Sequence, residues 1–525
     1  MSTSRRRFIG GTASGIVGLG LEQRVRAQQA SVQDLLLVNG RIHTMDAASR
    51  VVSQVWIRNG RFATVGNNLS TQNNPRRIDL RGRTVIPGIV DAHNHIVLVG
   101  NRPGWHTPLE HVFTIPDAIA ALKQRANGVP AGEMITCIGP LSAMQFAENR
   151  LPTLTELDAV PRPVYLQAAQ GGTRANSAAK AWLESKGVMV GTAEGVIAGQ
   201  AAGLALQTLR KELLTAETRK RTAAGALDYY ASLGITTHRD SGAFHSDAPA
   251  TGIANENTFT MHDPFLALHR EGKLTARLRF DFLHQDSPTA TPPLPTLSQR
   301  LKNTFPFFGD DWVKTGGIGE FTGGGIEGLK AIARAGWRGE DHSLNLINAT
   351  QLITDRETVN KEIPIGNLRW IISHIPGFNE DLANRAHALG MGVLVGWGPT
   401  RNGTNVGPPY RMLMGHPIRK AFHSDGGDIT VINPWLNFHT MVTGKNLVGQ
   451  DILGDQKLTR QETLWLATAA TKWFVREDDL GSIEAGNHAD LAVLDRDYFT
   501  VPDDDIKRVR SVMTVVGGKI VHGTM

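Results

Sequence analysis

One short stretch constrains this chain more than any other: Val85-Ile86-Pro87-Gly88-Ile89-Val90-Asp91-Ala92-His93-Asn94-His95. An apolar run broken by Pro-Gly reads as a buried strand, and residues two apart on a strand share a side. His93 and His95 therefore face one direction. At the C-terminal mouth of a parallel β/α barrel, two neutral imidazoles on one side of a strand end supply half of a metal site. The other half must come from residues distant in the chain.

At 525 residues the chain is too long for one small core and suits a large barrel with an accessory domain. From Asp34 to Gly82, short β segments are punctuated by Asn39-Gly40 and Asn59-Gly60, which favour tight hairpins because Gly tolerates positive φ. The pattern returns at the far end in Leu491 to Leu494, Val512 to Val516 and Lys519 to Val521, with Gly517-Gly518 between the last two. Between these ends, strand-like runs at Gly234 to Thr237, Ala276 to Leu283, Trp312-Val313, Leu368 to Ser373, Val393 to Trp397 and Ala421 to Ser424 alternate with helix-like ones. Among the helices, Pro116 to Arg125 opens on Thr114 and Asn379 to Leu389 closes on Gly390. Arg460 to Phe474 opens with capping-box spacing at Thr459 and Glu462.

The expectation is an α/β fold: a (β/α)8 TIM-type barrel over 88–480, with a small β-sandwich domain built from both termini, 33–87 and 481–525. A doubly wound sheet is the competing architecture. The long interval at about 96–233 is an insertion with its own structure, on a face where insertions shape substrate pockets.

The segment Thr84 to His95 resembles the first barrel strand of the metal-dependent amidohydrolase superfamily, an apolar strand, Pro-Gly, then Asp-x-His-x-His. Ser482-Ile483-Glu484-Ala485-Gly486-Asn487-His488-Ala489-Asp490-Leu491 echoes its closing motif, and the long insertion resembles the amidohydrolase family 3 (YtcJ-like) branch. A buried strand has little reason to end on an ionisable group unless the group is used. Lys314, His374 and Asp425 each follow a strand candidate, His342 follows the more polar run Gly336 to Asp341, and their order resembles the superfamily's binuclear set. The resemblance implies one or two divalent ions held by His93, His95, Lys314, His342, His374 and Asp425. It also implies that Lys314 is carboxylated as a bridge, that the ions activate a water, and that Asp425 is the catalytic proton carrier. Imidazole and carboxylate donors suit zinc best, with manganese, iron and nickel as alternatives. Trp397, Tyr410 and Arg411, in the loop from Trp397 to Pro417, and His423, two residues before Asp425, are the candidates for substrate contacts.

Ser4-Arg5-Arg6-Arg7-Phe8-Ile9 carries the twin-arginine pattern, and Val25-Arg26-Ala27 offers a cleavage site, so 1–27 reads as a signal peptide. Periplasmic or secreted location through the twin-arginine export machinery follows. Residues 1–27 hold five arginines and one glutamate, and without them the formal charge falls from +6 to about +2. That balance gives no case for nucleic acid. No later apolar run reaches the roughly 18 residues of a membrane span. Cys137 is the one cysteine and cannot form an internal disulfide.

The expected activity is hydrolysis of a non-peptide C–N bond, amide, formamide, urea-like or cyclic amide, in a small-molecule substrate. Departures from the branch weaken the transfer of its substrates: His342-Ser343-Leu344-Asn345 stands where the branch has His-Ala-x-Gly-Asp, and Ser373 where it has Glu. Ester hydrolysis or a lyase or hydratase step on the same barrel is one alternative, and a non-catalytic exported binding protein another. The resemblance leaves homo-oligomer formation open.

Overall fold

A computed structural model describes residues 33–525 apart from 169–171, 192–193, 243–259, 285, 287–290, 397, 402–406 and 428–429. The expected signal peptide, 1–27, and Trp397 lie outside the described residues.

Two four-stranded, wholly parallel sheets form the centre. The first holds β1 (Ile89–Asn94), β2 (Ile235–Asp240), β3 (Arg277–Phe282) and β4 (Val313–Ile318), paired in that order. The second holds β5 (Glu340–Ser343), β6 (Ile371–His374), β7 (Gly392–Val395) and β8 (Arg419–Phe422). A parallel bridge between Ile318 and Gly339 links β4 to β5. At the opposite edges, Asp425 N–H donates to the His93 carbonyl at 3.0 Å and His95 N–H to the Gly426 carbonyl at 2.7 Å. These bonds hold the segment after β8 against the end of β1.

Helices on the outside bury their apolar faces in one large cluster with the strands. Sequence-legible caps are in place: Thr114 accepts from Asp117 N–H, Asn379 from Leu382 N–H, and Thr459 with Glu462 forms a full capping box. The helix after Thr459 is shorter than its apolar pattern suggested, Arg460–Leu466, with a separate turn at Lys472–Val475.

The interior between the sheets holds charge as well as hydrocarbon. Arg239 pairs with both Asp281 and Glu340, Arg338 lies 3.5 Å from Asp281, and all four are buried. β4 makes room for them. A Cβ on Gly316 would fall 2.0 Å from an Asp281 oxygen, and one on Gly319 2.8 Å from Glu340 Cβ. The glycine-rich stretch after Lys314 is strand as far as Ile318, beyond the Trp312-Val313 run.

The two chain ends share a sheet. Lys519–Gly523, Ser511–Val516, Leu491–Leu494, Thr84–Pro87, Arg41–His43 and Val51–Val52 pair in that order, with Leu491 opposite Pro87. A second sheet runs Arg61–Gly66, Gln54–Arg58, Leu35–Val38, Arg76–Asp79. Leu37 and Val55 of this sheet share an apolar cluster with Val85, Leu491 and Val515 of the other. The opening stretch, read as one strand, is two: it leaves the terminal sheet at Pro87 and enters the parallel sheet at Ile89. Gly88 is the crossing point, where a Cβ would meet Thr236 Oγ1 at 2.1 Å.

Between β1 and β2 lies a five-stranded sheet ordered Val196–Ile197, Thr173–Ala175, Val164–Ala168, Ile135–Leu141, Trp105–His106. It has apolar clusters of its own. Cys137 is buried in one of them. Among the described residues no helix is long and apolar enough to cross a membrane.

Candidate metal centre

The C-terminal ends of β1, β4, β5 and β6 and the segment after β8 converge on one buried group of side chains. Asp91 anchors the seam. Its buried carboxylate accepts from the Ser424 hydroxyl at 2.5 Å and the Ser424 N–H at 3.0 Å, which sets Asp425 over the end of β1. Burial pushes the Asp91 carboxyl up to about 6, against those hydrogen bonds.

His93 Nδ1 lies 2.5 Å from Glu340 Oε1, and His95 Nδ1 2.7 Å from the Gly242 carbonyl. Each Nδ1 thus has an acceptor behind it, the arrangement that would turn Nε2 toward a bound cation. Both Nε2 atoms face the same two carboxylates. Glu320 Oε2 is 3.1 Å from His93 Nε2 and 3.5 Å from His95 Nε2, and Asp425 Oδ1 is 3.2 and 3.3 Å from them. The same Glu320 oxygen lies 3.6 Å from His342 Nδ1, and Asp425 Oδ2 lies 3.6 Å from His374 Nε2.

Two donor groups result, His93, His95, Glu320 and Asp425, and Glu320, His342 and His374, each with ligand atoms within 4.8 Å of one another. Glu320 belongs to both. Against burial, Glu340, Asp425 and Glu320 raise His93, and Glu320 and Asp425 raise His95, well above the usual imidazole range; a divalent cation would displace those protons, and imidazoles with shared carboxylates are the donors such ions take, so the residues fit such a centre.

Burial opposes the charge on Glu320, but His95, His342 and His93 hold it well below the usual carboxylate range; His374, His93 and His95 do the same for Asp425. Burial pushes His374 down to about 4, leaving its ring neutral. His374 and Asp425 take φ of 68° and 54°, left-handed backbone that costs roughly 1–3 kcal/mol in a non-glycine residue and gathers at functional sites.

Residues 76–522 match the amidohydrolase family. The chain belongs to that family. An amidohydrolase is a metal-dependent hydrolase acting on C–N bonds, and this site supplies the donors. Along 93% of this chain and 98% of its own length, an N-substituted formamide deformylase of Arthrobacter pascens is 23% identical. The Arabidopsis thaliana protein LONG AFTER FAR-RED 3 is 27% identical over 41% of this chain and 39% of its own. Among solved structures, an uncharacterised metal-dependent hydrolase of Pyrococcus horikoshii superposes with a TM-score of 0.59 at 19% identity, covering 90% of this chain and 99% of that one. Atrazine chlorohydrolase of Arthrobacter aurescens, complexed with zinc, gives 0.56 at 14% identity over 93% and 95%. These structural likenesses establish a common fold.

In this amidohydrolase the structure brings together five of the six residues expected as ligands: His93, His95, His342, His374 and Asp425. Lys314, expected as the sixth, is not among them. It stands at the start of β4, with Nζ 2.5 Å from Glu477 Oε1, beside Arg279, which pairs with the same carboxylate. Glu320, six residues on and roughly 20 Å further along an extended chain, reaches the centre instead. The strand runs on past the apolar Trp312-Val313 to Ile318, so the residue at its C-terminal end is not Lys314. An acid directly after Ile318-Gly319 was the available signal.

The substrate-contact candidates divide. His423 is buried with its ring 4.6 Å from His374 and 5.2 Å from His93, so it borders the centre. Arg411 is a correction: it is half exposed and spends its guanidinium on Glu462 at 2.7 Å, on the outer surface. Tyr410 is also corrected, since it opens the helix Tyr410–Gly415 and is buried in the main apolar cluster.

Proposed function

We propose that this amidohydrolase cleaves a small amide at a non-peptide C–N bond, with N-substituted formamides as the first substrates to try. We propose further that one or two divalent ions, zinc by preference, are held by His93, His95, Glu320, His342, His374 and Asp425. The observation that carries the reading is the Glu320 carboxylate shared between both donor groups. The near full-length likeness to a formamide deformylase supports the substrate class.

When bound, the ions supply Lewis acidity to the carbonyl and lower the pKa of the attacking water. The protein does the rest. Asp425, held anionic, is the group to accept the proton of that water and pass it to the leaving nitrogen. The side chains of His342 and Asp425 are 24% and 12% accessible, against 0–4% for the other four donors. Substrate therefore approaches across these two. Ser424 and Asp91 keep Asp425 over the pit, and His423 walls the inner side.

In this reading the two parallel sheets close into a (β/α)8 barrel over 88–480, and the terminal strands of 33–87 and 481–525 form a β sandwich. The twin-arginine pattern supports export of the folded enzyme; a fusion of residues 1–30 to a reporter that stays in the cytoplasm contradicts it. The activity is tested by elemental analysis of the purified protein, followed by assay of a panel of N-formyl and N-acyl amines. Hydrolysis in ¹⁸O-labelled water must place label in the released acid; a product free of label overturns the reaction type.

A further inference from the structure

Glu340 lies under the metal centre and is not one of its ligands. It sits at the start of β5, fully buried, with Oε1 2.5 Å from His93 Nδ1 and its other oxygen paired with Arg239. Arg239 is braced in turn by Asp281 and donates to the Ala92 carbonyl at 2.8 Å, next to His93. Gly319 and Gly316 supply the space: a side chain at either would strike Glu340 or Asp281. Residues of all five strands from β1 to β5 thus combine to bring one carboxylate to one imidazole nitrogen. His95 receives a neutral carbonyl at the same position, so the two histidines of the His-x-His pair are not equivalent.

We propose that Glu340 is a positioning residue for metal binding: it fixes His93 with Nδ1 protonated, aims Nε2 at Glu320 and Asp425, and makes His93 the stronger donor of the pair. The inference rests on the reading of His93 as a metal ligand. A carboxylate behind an imidazole holds the ring in one tautomer and orientation and increases its basicity toward a cation, and loss of such a partner typically weakens metal binding about 10- to 100-fold. Arg239 keeps Glu340 in place without competing for His93, because its guanidinium can only donate.

Glu340→Gln replaces the anion with an amide whose NH2 must face either Arg239 or His93 Nδ1, both donors. The test measures zinc affinity of wild type and Glu340→Gln by competition with a chromophoric chelator, the visible spectrum of the cobalt(II) forms, and the melting temperature of the metal-free proteins. The expected result is zinc binding 10- to 100-fold weaker, with a shifted cobalt spectrum, in a variant that still folds. Equal zinc affinity and an unchanged cobalt spectrum overturn the proposal, even where the variant melts lower, because a purely structural role moves the melting temperature alone. If Glu340→Gln does not fold, nitrogen-15 histidine spectra of the zinc-loaded wild type decide: His93 must carry its proton on Nδ1, and a proton on Nε2 refutes the idea. A wild type that binds no zinc instead refutes the metal centre itself, so the two failures are distinguishable.

Discussion

At the residue scale, metal binding depends on which ionisable groups reach the mouth of the parallel strands. Glu320 does, and Lys314 is tied to Glu477 at the other end of the same strand. Glu320→Ala is therefore expected to lose most bound metal, while Lys314→Met keeps it, because Glu477 retains Arg279 at 2.8 Å. Asp425→Asn should bind metal but turn over roughly 100- to 10,000-fold more slowly, the span of a lost proton carrier; initial rates beside metal content separate the two effects. His93, His95, His374 and Asp425 were legible because each ends an apolar run, and an ionisable group there needs a reason. Glu320 and Glu340 were not. Glu320 follows a strand whose glycines admit Asp281 and Glu340 from neighbouring strands, which interrupts the apolar run that would have led to it, and Glu340 opens β5 directly after the polar Arg338-Gly339.

At the scale of elements, the caps at Thr114, Asn379 and Thr459 were readable, since each follows from local backbone chemistry. Strand interiors were harder. Arg277 and Arg279 of β3 are buried against Asp490 and Glu477, so charged residues that look solvated in sequence line the inside. The inserted sheet carries a separable prediction. His106 in Trp105–His106 has its pKa pushed down to about 3 by burial, with Arg102 and Arg125 adding to the effect. Its ordinary value is 6.5, so the unfolded chain binds a proton between these values that the folded chain does not. Stability is then full above about pH 6.5 and falls as pH drops toward 3, by a few kcal/mol at most from this group. Urea melts of His106→Gln between pH 7 and 4 should show a shallower decline than wild type; identical slopes would remove His106 as the cause.

At the scale of the whole molecule, the two chain ends are one structural unit, because Leu491–Leu494 pairs with Thr84–Pro87, the strand that leads into β1. A chain truncated before Leu491 should fail to give soluble enzyme, although it keeps every proposed ligand, and a soluble, metal-binding truncation would show that the two parallel sheets and their helices stand without the terminal strands. Chelation should abolish turnover and added zinc restore it.

The most direct test of the central claim is the metal content of three purified proteins, wild type, Glu320→Ala and Lys314→Met, by elemental analysis. One to two ions per chain are expected in wild type and Lys314→Met, and little in Glu320→Ala. Metal lost from Lys314→Met and kept in Glu320→Ala would contradict the claim.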